Sequence, residues 1–222
     1  MNIVNASVEL LSEIDGNQVL KAIELAGRTC YKSEDHITDT SCTSFVKMLI
    51  ARGHEAMLEH YNVTFKLICN RGVTHEVVRH RIASYAQEST RYCNYSKKGI
   101  SYINPCFWSE GTKADSDKIE IWLGAMTYLE EAYNKLVALG AKPEEARDIL
   151  PNALKTELVV TMNIRELRHF LKLRTSKFAH PQMRQVAIIL LIDLVAKIPV
   201  VFDDIYEEVT GNKIMLSGKP SL

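Results

Sequence analysis

At 222 residues the chain can form one domain with a sizeable core, and its 46% apolar and 24% charged content, near globular averages, excludes disorder and fibrous repeats. Lysine plus arginine equals aspartate plus glutamate at 27 each, so no global field draws in a nucleic-acid backbone and any basic cluster serves a local purpose.

Residues 2 to 10 are rich enough in Ile, Val and Leu for an opening strand. Asp15-Gly16-Asn17 then signals a helix over Gln18 to Tyr31, with Val19, Leu20, Ile23, Ala26 and Cys30 at helical spacing, and Thr38 to Arg52 repeats the pattern before Gly53. Tyr61 to Cys69 is β-branched and aromatic with period two, a strand with one buried face, after which Asn70-Arg71-Gly72 turns the chain. Thr74 to Ile82 reads as a short helix and Ser84 to Tyr95 as extended or looped chain. Gly111 to Asp117 is a surface loop, Lys118 to Leu139 a long helix ending at Gly140, and Pro143 to Leu150 a shorter one with proline in its first turn. Leu158 to Met162 reads as a buried strand, Asn163 with Glu166 as the capping pair of a helix to Arg174, and His180 to Lys197 as the last long helix. Helices interspersed with separated strands, without regular alternation, predict an α+β fold: a mainly antiparallel sheet flanked by helices, in one domain over residues 1–222.

No export signal opens the chain, and the apolar run Val186 to Ile192 is too short to cross a bilayer. Five cysteines without metal-finger spacing suit free thiols in a reducing compartment, so the expected location is the cytoplasm, away from membranes.

The most informative segment is Arg79 to Arg91, which places three arginines, one histidine and two serines where an apolar stretch enters a polar turn. Arginine presents a planar fork of donors that matches phosphate and carboxylate oxygens two at a time, and the segment contains no lysine. On a helix from Thr74, Arg81 lies four residues after Val77, beside the apolar stripe. Leu167, Phe170 and Leu171 define another stripe whose next member is Arg174. A guanidinium on such a face needs an anion from the protein or from a ligand, because an unpaired buried charge costs several kcal/mol. No glycine-rich turn of dinucleotide or P-loop type is present to hold phosphates instead.

Arg79-His80-Arg81, seven residues, Ser89, one residue, Arg91 resembles the signature of the flavin-dependent thymidylate synthases, the ThyX family. Gly53-His54-Glu55, Glu59-His60, Arg147 with Leu150-Pro151, Asn163-Ile164-Arg165 and Leu173-Arg174 are similar to the family in the same order. The resemblance implies reductive methylation of deoxyuridine monophosphate (dUMP) to thymidylate. The one-carbon unit would come from 5,10-methylenetetrahydrofolate and the reducing equivalents from NADPH through FAD. It also implies a homotetramer with active sites shared between subunits. In that reading Arg79, His80 and Arg81 hold FAD, with Asn163, Ile164, Arg165 and His169 from the later helix, a contact from Ala56, and His54 near flavin and folate. Glu76, Val77, Val78 and Arg79 line the nucleotide with Gln87, Glu88, Ser89, Thr90 and Arg91; Ser89 and Arg91 take its phosphate, Arg147 assists, and Gln87 is shared with the flavin. Arg174 is the expected catalytic residue, its cation set against the uracil ring. Many family members carry an acid where this chain has Gln87, with Glu88 next to it, so which of the two faces the ligand stays open. His169 stands where asparagine is frequent.

Other signals weigh less. His54 and His60 are six apart and fall on different helix faces, unlike a zinc-protease pair, so no metal is expected. Ser89 has no histidine with an orienting acid beside it in sequence, which favours a phosphate-binding hydroxyl over a nucleophile. Cys106 is read as structural, and Trp122, Met126, Leu129 and Tyr133 as core or subunit contact. The alternatives are a flavoprotein that performs another reduction and an RNA-binding module, the latter opposed by the neutral charge.

Overall fold

Asp15 begins the first helix as the sequence predicts: its side chain accepts from the Asn17 and Gln18 amides, and α1 runs Gly16–Tyr31. The computed structural model describes residues 1–97, 99–109 and 111–211. Its elements in chain order are β1 (Asn2–Val4), β2 (Ser7–Leu10), α1, α2 (Ser41–Ala51), β3 (Asn62–Asn70), α3 (Arg71–Val77), β4 (Ala83–Gln87) and β5 (Ser101–Ile103). There follow α4 (Lys113–Ala138), α5 (Pro143–Ala146), β6 (Lys155–Asn163), α6 (Ile164–Arg174), α7 (Pro181–Lys197) and α8 (Asp203–Thr210). The α+β class is as expected, with an antiparallel four-stranded sheet of order β2-β3-β6-β4. A separate parallel pair, β1 with β5, sets Ile3 opposite Tyr102.

The chain divides into two compact units built from interleaved segments. The first comprises 1–7, 66–79 and 85–159; the second comprises 8–65, 80–84 and 160–222. In the first, Tyr102, Met126, Tyr133 and Leu154 form a buried cluster with Trp122 and Leu129 packed against it, the core role expected of that α4 stripe. In the second, α1 lies on α2 so closely that a Cβ on Gly27 would meet the Phe45 ring at 2.5 Å and force that ring to shift. α7 buries Met183, Val186, Leu190, Leu191 and Leu194. Strands β3 and β6 alternate buried and half-buried positions, and on the less buried side the Thr64 and Thr161 hydroxyls bond at 3.0 Å.

Several boundaries depart from the sequence expectation. The opening strand is two strands in different sheets, broken at Asn5-Ala6. Asn70 is not a turn residue: its Oδ1 accepts the Val73 amide at 2.8 Å and caps α3, so Arg71 and Gly72 are helical. That helix ends at Val77 instead of reaching Ile82. Continued helix would direct the Arg81 amide to the Val77 carbonyl, but the Tyr85 hydroxyl donates to that oxygen at 3.0 Å and the chain leaves for β4. Arg81 is therefore exposed rather than set beside an apolar stripe. The loop expected to Asp117 is shorter, because Thr112 caps α4 at the Asp115 amide. α8 was not foreseen; it follows Val200, a β-branched residue in the left-handed region (φ 77°), where the Val200 amide donates to Asp203 Oδ1 at 3.1 Å.

Candidate active site

Asn163 starts α6 by accepting the Glu166 amide at 2.8 Å, but the Glu166 carboxylate does not turn back to complete the expected reciprocal cap. It lies 2.9 Å from Nδ1 of His80, whose Nε2 in turn accepts from Arg174 Nε at 3.1 Å. One imidazole thus joins a signature residue to an arginine 94 positions later in the sequence. The ring packs edge-on against Phe170, with centroids 5.0 Å apart, and lies 5.6 Å from that of His169. A guanidinium has only donors, so Nε2 carries the lone pair and Nδ1 the proton that goes to Glu166. Burial, reinforced by the Arg174 charge, holds His80 below its ordinary pKa against the upward pull of Glu166, and the ring is neutral at pH 7. His80, Glu166 and His169 bring possible ligand atoms within 4.8 Å of one another, yet both His80 nitrogens already serve protein partners.

Next to this cluster is a cleft of about 520 Å³, lined by Asn163, Arg165, His169 and Lys172 with Glu55, Glu59 and Ile82. Arg165 is held by acids: Nη1 lies 2.5 Å from Glu59 and Nε 3.7 Å from Glu55. These groups are substantially exposed, so water screens the pairs and they can be exchanged. A phosphate would offer the guanidinium a stronger two-point partner. Arg168, also on the lining, is almost fully buried; it donates at 2.8 and 2.7 Å to both oxygens of Asp204 and also to the Val201 carbonyl. Its Nε is buried with no hydrogen-bond partner among the described residues. Cationic and amide donors around such a volume fit an anionic cofactor.

Of the residues expected at the flavin, Asn163, Arg165 and His169 line this cleft, and His80 is bonded to Glu166 at its wall. Ala56 is exposed on the short 3-10 helix Glu55–His60 that also carries Glu55 and Glu59, and His54 precedes it half-buried. Ile164 is fully buried with its amide on the Tyr61 carbonyl at 3.0 Å, so its side chain belongs to the core. Arg81, in the turn before β4, is exposed.

The expected nucleotide residues other than Arg174 all belong to the first unit. Gln87 Nε2 donates to the Thr74 and Thr156 hydroxyls at 3.0 and 3.4 Å. Glu88 has both oxygens engaged, one by the Tyr95 hydroxyl at 2.9 Å and one by Lys155 at 3.3 Å. Burial and the Glu88 charge push the Tyr95 phenol up, which keeps it a donor. Ser89 builds the following turn: its Oγ accepts the Arg91 amide and its carbonyl the Tyr92 and Cys93 amides, which buries Thr90. The exposed Arg91 comes within 4.0 Å of Glu144 on α5, and Arg147, just after that helix, is exposed as well. Glu76 is half-buried, Val77 is core, and Val78 and Arg79 are exposed.

Two residues escaped sequence reasoning. In the sequence Glu166 carries only the signal of a capping partner, and Arg168 stands out only by its place on the buried face, four residues after Ile164 and three before Leu171. That position was the available signal.

The family described as Thymidylate synthase complementing protein matches residues 9–200. A flavin-dependent thymidylate synthase of Geobacter sulfurreducens is 35% identical over 190 residues, 82% of this chain and 80% of the relative. Among solved structures, the UMP/dUMP methylase PolB from Streptomyces cacaoi, bound with 5-Br dUMP, superposes with a TM-score of 0.77 at 24% identity, covering 96% of this chain and all of that one. ThyX from Helicobacter pylori, complexed with FAD and dUMP, gives 0.72 at 23% identity over 89% and 98% of the two chains. These two likenesses establish a common fold.

Proposed function

The chain belongs to the flavin-dependent thymidylate synthase family, and from that premise we propose that it methylates dUMP to thymidylate as a single FAD-dependent catalytic domain. Bound FAD supplies reducing equivalents drawn from NADPH, while 5,10-methylenetetrahydrofolate supplies the carbon. The observation that carries the reading is the bond from Arg174 to His80, which ties the arginine-rich signature to the helix that lines the cleft.

In this assignment Asn163, Arg165 and His169 bind the flavin, with Arg165 exchanging Glu55 and Glu59 for phosphate oxygens. His54, Ala56, Arg79, His80 and Arg81 support it, and Ile164 acts through the core. Ser89 and Arg91 hold the nucleotide phosphate, assisted by Arg147. Gln87, rather than Glu88, turns its side-chain oxygen to the pyrimidine nucleotide, because Thr74 and Thr156 engage its Nε2 whereas Tyr95 and Lys155 take both oxygens of Glu88. Glu76, Val78, Arg79 and Thr90 complete that wall. Arg174 places a fixed cation against the uracil, favouring ionisation at N3 and stabilising negative charge as carbon 5 becomes nucleophilic. The working assembly is a cytoplasmic homotetramer with active sites at subunit interfaces.

Purified protein should be yellow and release tritium from 5-tritiated dUMP only when NADPH and methylenetetrahydrofolate are both supplied. A flavin-bearing protein that reduces acceptors without tritium release would instead be a different flavin enzyme.

A further inference from the structure

We propose that His80 is a positioning residue for Arg174: Glu166 anchors the imidazole, and the lone pair on Nε2 fixes the guanidinium that faces the pyrimidine. The proposal rests on the assignment of Arg174 made above.

Arg174 lies eight residues after Glu166 on α6, about 12 Å along the helix axis. Helical side chains lean toward the N-terminus, so the long arginine stem runs back over its own helix while Glu166 sits near the start. His80 fills the gap from outside α6. It meets Glu166 and Arg174 through hydrogen bonds and His169 and Phe170 through ring contacts, all on one face of the helix. An arginine free to sample its rotamers would have to be ordered each time a pyrimidine arrives; one held at Nε has its plane set beforehand.

The choice of histidine has a physical reason. A carboxylate bonded directly to Arg174 would hold it equally well but would cancel the charge needed to stabilise the uracil anion. A neutral imidazole nitrogen accepts the hydrogen bond without itself bringing a negative charge, while the anion of Glu166 is kept a ring's width away. Glu166 is itself in the first turn of α6, where the helix N-terminus favours a carboxylate. The arrangement tolerates only one protonation state: an imidazolium would have no lone pair at Nε2 and would face Arg174 as a second cation. Glu166, Arg174 and His169 all act electrostatically on the ring. Burial and Arg174 oppose protonation more than Glu166 favours it.

The test uses the FAD-loaded enzyme and measures kcat and the KM for dUMP by tritium release across about pH 5 to 8, for the wild type and Glu166→Gln. The wild-type kcat should fall on the acid side as His80 takes up a proton. Glu166→Gln should keep its flavin, lower kcat at neutral pH about tenfold and leave the dUMP KM within about twofold. Its acid limb should move to lower pH, because removal of the carboxylate disfavours the imidazolium further. An unaltered kcat and acid limb would overturn the proposal, as would a lower kcat with the limb unmoved, which is what a merely structural role produces. Independently of the variant's folding, nitrogen-15 spectra of histidine-labelled wild-type holoenzyme at pH 7 should show His80 protonated at Nδ1 alone; the other tautomer, or the imidazolium, rejects the relay. A wild type without tritium release would refute the methylation reading, and the tautomer measurement would still judge the relay by itself.

Discussion

Arg174 and Arg168 stand six positions apart on one helix, and their partners separate their tasks. Arg174 is half-buried and bonded to a neutral ring, so Arg174→Ala should retain flavin absorbance while losing at least about a hundredfold in kcat, a loss of charge stabilisation rather than of cofactor. Arg168 is buried against Asp204 on α8, and Asp204→Asn leaves that cation with the Val201 carbonyl and a weaker side-chain partner. The variant should lose roughly 2 kcal/mol in urea unfolding. Burial alone would raise the Asp204 pKa, but the hydrogen bond and charge of Arg168 outweigh it and depress the value below 3.8. The contribution is therefore complete above the unfolded-state value and is lost as pH falls through the folded one, so the acid unfolding limb of Asp204→Asn should be shallower than that of the wild type. The arginine-rich signature was legible in the sequence because its members are close together at fixed spacing. The Arg168–Asp204 pair was not, since nothing local in either segment announces a partner 36 residues away.

Among the elements, the period of the apolar residues identifies α1, α2, β3 and α6, whereas β6 and α7 show as apolar runs. It failed where a single side chain decides. Asn70 converts an apparent turn into the start of α3, and Tyr85 takes the Val77 carbonyl where that helix ends, five residues short of Ile82. Asn70→Ala should therefore destabilise the protein by about 1 kcal/mol, measured by thermal or urea denaturation: the Arg71 and Gly72 amides are met by the Leu154 and Asn152 carbonyls, but the Val73 amide loses its cap. Release of Arg79 from its position at the exit of α3 should also raise the KM for dUMP more than it lowers kcat. α8 is short, with Ile205, Tyr206 and Val209 on its inner face, and it begins after the unusual backbone at Val200, which no sequence signal announces.

At the level of the whole molecule, the fold class could be read from the sequence but the division into two units could not. Each unit is assembled from segments that alternate along the chain, with β3, β4 and β6 contributing residues to both, and composition does not change where they part. The proposed assembly predicts a particle with four times the 25.2 kDa chain mass in light scattering; a monomer carrying full activity would refute the shared sites. The acids on Arg165 have a further consequence. If Glu55 and Glu59 occupy the guanidinium until phosphate oxygens replace them, cofactor uptake is an ion exchange within the cleft, and the protein supplies the competing anion itself. Glu59→Gln should then tighten FAD binding several-fold in a fluorescence-quenching titration. The native acids would make apoenzyme loading a reversible, tunable step, with the occupied fraction following the flavin supply of the cell.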